Sequence, residues 1–368
     1  MFPKLTIGDL EIELPIIQGG MGIGVSLAGL ASAVANEGGV GVLSAAGVGS
    51  EESDFKSNYV EANVRAMRHE IRLTRSKMKR GFLGVNIMVA LTNYADLVNV
   101  CVEEGVDFIF SGAGLPLDLP AFLKGKTSPK IVPIVSSGRA AAIVCKKWLS
   151  RYDRLPDAVV LEGPMAGGHL GFKPEQIADP AFKLEELTPE VIEAVAPFAQ
   201  AAGRPIPVIV AGGVYTGADI RKYLDMGAAG VQMGTRFVAT HECDAALEFK
   251  QAYINAREED MHIIKSPVGL PGRVIRNRFI EAMEEGRRSP FACPFHCLRG
   301  CDFHKSPYCI TLALINAKRG NTVNGLIFAG HNAFRVTGVV SVHELICELA
   351  DQYEAACAEL GPPKGAGA

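Results

Sequence analysis

DAVVLEGPMAGGHLG, residues 157–171, places a strand, a carboxylate, a glycine turn and a histidine in one short run. Its opening, Ala158-Val159-Val160-Leu161, is continuously apolar and rich in β-branched residues, the pattern of a strand buried on both faces, as in a parallel sheet. The run stops at Glu162-Gly163. Ala166-Gly167-Gly168 then provides a backbone that reaches left-handed conformations and admits a flat ligand against the main chain, with no Cβ in between. His169 follows immediately, at the edge of anything lying on those glycines. Taken alone, the segment reads equally well as a glycine turn beside a surface histidine, so its neighbours must decide.

Working outward, apolar runs at residues 15–18, 40–43, 82–86, 107–110, 130–135, 206–211 and 230–233 have the character of strands. They alternate with stretches of three- and four-residue apolar spacing at 26–36, 61–75, 94–104, 139–149, 189–201, 217–226 and 244–256. Together with 157–161 the strands number eight. That count predicts an α/β fold, a TIM (β/α)8 barrel over residues 1–260, in preference to an open doubly wound sheet. Residues 261–368 are expected to form a C-terminal cysteine-containing helical extension: a proline-glycine strap at 267–273, a cysteine cluster, and helices packed on the barrel. Barrel enzymes carry their functional residues just after the strands, and here those positions read Gly20-Met21-Gly22, Asn86, Gly167-Gly168, Gly212-Gly213 and Gly234-Thr235. The turns after the last two strands are where such barrels bind phosphate. Glycine-bearing turns repeated on one face argue for a ligand site at that mouth.

Lysine and arginine total 37 against 40 acidic residues, so no global basic field recommends nucleic acid as a partner or a membrane surface as a location. No apolar run reaches the length of a spanning helix, and the first residues lack a charged-then-apolar leader pattern, so a cytoplasmic location is expected. The basic run at 65–80 reads as a solvated helix face, with a site for an anionic carrier or nucleotide tail as the alternative. A small-molecule substrate is the expected partner, and a homodimer is left open. Nine cysteines suit reduced thiols better than a disulfide framework. Four of them, Cys293, Cys297, Cys301 and Cys309, fall close together, so zinc or an iron–sulfur cluster stands beside free thiols in a turn-rich cap as a reading of that segment.

EGPMAGGHLG (162–171), with LPIIQGGMG near the N-terminus, GVN at 84–86, VIVAGGV at 208–214 and MGTRF at 233–237, resembles the nitronate monooxygenase family, formerly called 2-nitropropane dioxygenases. FMN-dependent enoyl-acyl-carrier-protein reductases share that superfamily. The resemblance runs from about residue 12 to 275 and implies a TIM barrel holding FMN. Residue by residue, it implies Gly20, Met21 and Gly22 beside the flavin ring, Asn86 hydrogen-bonded to it, and Gly167 and Gly168 close against it. Gly212, Gly213, Gly234 and Thr235 would hold the phosphate, and His169 would be the catalytic histidine. The implied activity is oxidation of alkyl nitronates to a carbonyl compound and nitrite. The alternative is an NAD(P)H-using reductase of enoyl thioesters or quinones. The sequence departs from the family where a Gly-Gln pair is expected near the C-terminus: residues 329–333 read AGHNA, leaving His331 or Asn332 for that place. The cysteine cluster is a second departure, and a metal cluster there would favour the reductase.

Overall fold

The computed structural model describes residues 2–287, 290 and 292–361. A hairpin of β1 (Leu5–Ile7) and β2 (Leu10–Ile12) precedes the first barrel strand, β3 (Ile16–Gln18). Strand and helix then alternate: α1 (Ala28–Asn36), β4 (Val40–Ser44), α2 (Tyr59–Lys77), β5 (Phe82–Met88), α3 (Tyr94–Glu103), β6 (Phe108–Gly112), β7 (Lys130–Val135), α4 (Gly138–Tyr152) and β8 (Val159–Glu162). A two-residue strand, β9 (Gly168–His169), interrupts before α5 (Leu184–Ala202), β10 (Val208–Ala211), α6 (Gly217–Asp225) and β11 (Gly230–Met233). Strands β3 to β8 close through β10 and β11 into a parallel barrel of eight, the TIM barrel expected from the alternation.

Each barrel strand is almost wholly buried, because side chains on one face fill the barrel and those on the other meet the helices. Ile17, Val42, Phe108, Phe110, Val132, Val160 and Ile209 form the interior with Leu5, Ile7 and Ile12 of the hairpin. Leu5 packs at Gly230, where β11 begins, and Gly8 lies against Lys130, where β7 begins. The hairpin therefore plugs the N-terminal end and leaves the glycine turns at the open end. The basic run is a paired helix face on α2: Arg65 bridges Glu52 and Asp54, Arg68 bridges Glu103 and Glu104, Arg72 bridges Glu104, and Arg75 bridges Asp107.

Beyond β11 come α7 (Thr235–Val238), α8 (Leu247–Ile254), β12 (Met261–Lys265), β13 (Pro271–Ile275), α9 (Arg278–Glu284), α10 (Ile310–Lys318) and α11 (Val342–Leu360). The segment read as an aperiodic strap is instead the turn and second strand of a hairpin. Gly269, at φ 88°, turns the chain, and Ser266 N–H donates to Leu270 O at 3.1 Å. Strand β13 then adds to β9, pairing Gly272 with His169 and Arg273 with Gly168. Pro and Gly hide a strand from sequence patterning, but main-chain hydrogen bonds need no side-chain alternation, and β9 offers an edge. Helix α11 packs against α6 and α1 on the barrel's flank. Among the described residues no helix is long and apolar enough to cross a membrane.

Candidate active site

A cavity of about 250 Å³ opens where the barrel strands end. Gly20, Met21 and Gly22 enter it from the turn after β3, Asn86 from β5, and Gly167, Gly168 and His169 from the segment after β8. Gly212 and Gly213 follow β10, Gly234 and Thr235 follow β11, and both pairs line the same space. The residues assigned from the sequence to the ring system, the phosphate and the catalytic histidine thus all reach one cavity, because parallel strands of similar length end on one rim.

Two features show why side chains are missing from that rim. A Cβ on Gly20 would collide with Cβ of Asn86, so only glycine lets the turn pass over β5. Gly212 and Gly213 take φ of 83° and 119°, where other residues are strained. Asn86 itself donates from Nδ2 to Gly20 O at 3.4 Å, while its Oδ1 is buried with no partner among the described residues. A buried acceptor left this way invites a donor from a ligand.

His169 is fixed at backbone and ring. Strand pairing with Gly272 holds its main chain, Nε2 shares a 2.7 Å hydrogen bond with Ser266 Oγ, and the ring meets Phe328 edge-on at 4.9 Å between centroids. Burial lowers its pKa to about 4, so the imidazole is neutral at physiological pH. Glu162, the last residue of β8, also lines the cavity, and burial raises its carboxyl to about 7. Among the described residues no lysine or arginine lines the cavity. Behind the glycine turn, buried Arg273 donates from Nη1 to Pro164 O and to Ala166 O, tying that loop to β13.

The C-terminal departure from the family pattern lands at the same rim. Asn332 Nδ2 donates to Gly213 O at 2.8 Å, His331 N–H donates to Met165 O at 3.0 Å, and a Cβ on Gly330 would meet Thr235 Oγ1 at 2.6 Å. Ser266, Arg273 and Phe328 were not singled out from the sequence, and Glu162 was read there only as the carboxylate that ends a strand. Two short runs, MHIIK and PGRVI, flanking a Gly-containing turn were the available sign of a hairpin that would carry Ser266 and Arg273.

Of the two readings of the cysteine cluster, the metal centre finds no support. Among the described residues no group of three or more His, Cys, Asp or Glu side chains is arranged to hold a metal ion. Cys297 is instead buried with Ile23, Phe55, Tyr59 and Phe295, where burial pushes its thiol up to about 11, and it accepts a hydrogen bond from Thr311 Oγ1 at 3.0 Å. Cys293, Cys301 and Cys309 lie near enough to raise that thiol further. The loop it belongs to is stitched to the loop after β5, Thr92 N–H donating to Cys297 O and Arg299 N–H to Ala90 O.

A model of the nitronate monooxygenase family matches residues 4–352. A Mycobacterium tuberculosis protein named (3aS,4S,5R,7aS)-5-hydroxy-7a-methyl-1-oxo-octahydro-1H-indene-4-carboxyl-CoA dehydrogenase is 31% identical over 280 residues, 76% of this chain and 68% of that protein. A probable nitronate monooxygenase of Staphylococcus aureus is 28% identical, covering 75% of this chain and 79% of its own. Among solved structures, FabK from Thermotoga maritima superposes with a TM-score of 0.73 at 28% identity over 95% of each chain. A nitroalkane oxidase from Streptomyces ansochromogenes gives 0.72 at 24% identity over 95% of this chain and 98% of its own, a likeness of fold.

Proposed function

The chain belongs to the nitronate monooxygenase family and is an oxidoreductase, and we propose that it uses FMN to oxidise alkyl nitronates to a carbonyl compound and nitrite. The observation that carries this reading is the one rim that gathers paired glycine turns, an unpartnered Asn86 Oδ1 and a rigidly held histidine. Those features suit FMN. A phosphate is an anion that main-chain N–H groups at glycine turns can hold without cationic side chains, here from Gly212, Gly213, Gly234 and Thr235. Gly20, Met21 and Gly22 would border the ring system, Gly167 and Gly168 would let it lie against the backbone, and Asn86 Oδ1 would accept a hydrogen bond from it. Bound FMN supplies the redox chemistry, taking electrons from the substrate. His169 would hold a substrate oxygen through Nδ1, since Nε2 is engaged by Ser266 and Nδ1 has no partner among the described residues.

A second reading has an observation of its own. With a neutral imidazole, a carboxyl and no cation among the described residues, the cavity favours an uncharged substrate over an anion such as a nitronate. That supports an NAD(P)H-dependent reductase or dehydrogenase of a thioester or quinone, and the 31% identical relative carries a carboxyl-CoA dehydrogenase name. One experiment separates the two. Purified yellow protein is mixed with NADH or NADPH under argon, and in parallel with a nitronate in air. Nitrite release without anaerobic bleaching supports nitronate oxidation; rapid bleaching without nitrite supports the reductase. A protein that binds no flavin removes both.

A further inference from the structure

Ser266 stands in the wall between two cavities. On the inner side its hydroxyl meets His169 Nε2 at 2.7 Å. On the outer side it lines a second, solvent-facing cavity with Lys265, Gly269, Asp302, Lys305 and Ser306. The residue is buried, at 3% exposure, so the connection runs through its hydroxyl and not through open water. A serine hydroxyl has one proton and two acceptor sites. Val268 N–H occupies one acceptor site, at 3.3 Å. If His169 Nε2 carries a hydrogen, it donates to Ser266 and the serine proton is free for an outer acceptor. If Nε2 is bare, Ser266 donates inward and its second acceptor site is free for an outer donor. Either tautomer leaves one valence on the far side of the wall. The Tyr308 hydroxyl is buried beside Ser266, close enough to interact with it, and is next in the chain to the outer cavity's Ser306 and Pro307.

We propose that Ser266 is a proton conduit, relaying protons between His169 and water in the outer cavity without use of the inner cavity's mouth. In the outward direction His169 takes a proton at Nδ1 from the substrate and gives its Nε2 proton to Ser266 Oγ while the serine's own proton moves to an outer water, so the ring stays neutral and only changes tautomer; the return reverses all three transfers. Charge and atoms balance, and no oxidant is involved. The consequence is that His169 can exchange protons while flavin and substrate block the direct way in. The idea rests on the proposed function only in giving His169 a proton to handle.

The test uses the full-length holoprotein with Ser266→Ala, Ser266→Thr, and Ser306→Trp to fill the outer cavity. Flavin content, kcat, KM, the solvent isotope effect and ring-nitrogen NMR of 15N-histidine protein are read, with the His169 signal assigned by its loss in His169→Asn. Ser266→Ala should keep flavin and KM, lose about tenfold or more in kcat and enlarge the isotope effect. The threonine variant should stay within about threefold of the parent, and the plugged variant should lower kcat at constant KM. A wild-type kcat and isotope effect in Ser266→Ala overturn the proposal, as does joint failure of the alanine and threonine variants with loss of flavin, which marks a packing role. Unchanged turnover on plugging removes the outward route. If the parent shows no flavin or turnover, the oxidoreductase reading fails separately. The NMR arm then decides alone: loss of the hydrogen-bonded Nε2 signature in Ser266→Ala supports the contact, and an unchanged spectrum overturns it.

Discussion

Glu162 and His169 face the same cavity from the two ends of the glycine turn, and burial moves their protonation in opposite directions. The carboxyl rises from 4.5 to about 7 and the imidazole falls from 6.5 to about 4. Between those limits the native Glu162 keeps a proton that the unfolded chain has released, so acidification through the window stabilises the fold. The unfolded chain takes up a proton at His169 that the native ring refuses, so acidification there destabilises it. Each contribution is on the order of 3 kcal/mol, and the two oppose each other. Urea midpoints measured from about pH 5 to 7 should therefore diverge in the variants. Relative to the parent, Glu162→Gln should lose stability on acidification and His169→Asn should gain it. Slopes of the same sign in both variants would show that the pair is not balanced in this way.

His169→Asn should remain yellow and lose turnover by about 100-fold or more, the usual worth of a positioned acid–base group. The ring contributes one edge contact with Phe328 and one hydrogen bond, so its removal leaves the barrel intact. Flavin absorbance and kcat on one preparation check this, and full activity would take His169 out of the chemistry.

Gly167 and Gly234 should fail differently. A Cβ on Gly167 comes within 2.5 Å of backbone atoms of Ala329 and Gly330, which cannot move aside cheaply. Gly167→Ala should thus destabilise the protein by about 1–3 kcal/mol as well as weaken flavin retention. At Gly234 the nearest atom to a Cβ is Met21 Sδ at 3.4 Å, ordinary contact. Gly234→Val should leave the apoprotein's stability near the parent's while its side chain obstructs the proposed phosphate site. Comparing flavin dissociation with apoprotein melting separates the effects; tight flavin binding by the valine variant would move the phosphate elsewhere.

Arg273 is a buried cation satisfied by carbonyls and, among the described residues, not by a carboxylate. Burial lowers its pKa to about 10, still charged at neutral pH. Arg273→Met removes the donor shared by Pro164 O and Ala166 O, and should cost about 2–4 kcal/mol and loosen the glycine turn. The readouts are the urea midpoint and protease cleavage within residues 163–168; an unaltered midpoint would mean the loop is held by β9 alone.

Much of the fold and the rim was legible in the residue order. Runs such as AVVL (158–161) and VIVA (208–211) are apolar on both faces because parallel barrel strands are covered on both, and that local pattern survives without coordinates. The hairpin of β12 and β13 was hidden, because its second strand opens on Pro-Gly and its pairing partner, β9, is two residues long. The cysteine spacing left a metal and free thiols both open, since spacing carries no information on whether a thiol turns inward, and Cys297 packs among aromatic rings.

The order of residues by itself determined eight buried strands and glycines at their ends, since periodicity and backbone freedom are properties of neighbours along the chain. Only the tertiary structure decided that His169 is held by Ser266, 97 positions away, that Asn332 reaches Gly213, and that Glu162 and His169 shift apart. Hydrogen bonds and desolvation depend on which distant segments come together and how much water they exclude, and neither quantity is written in any local run of residues.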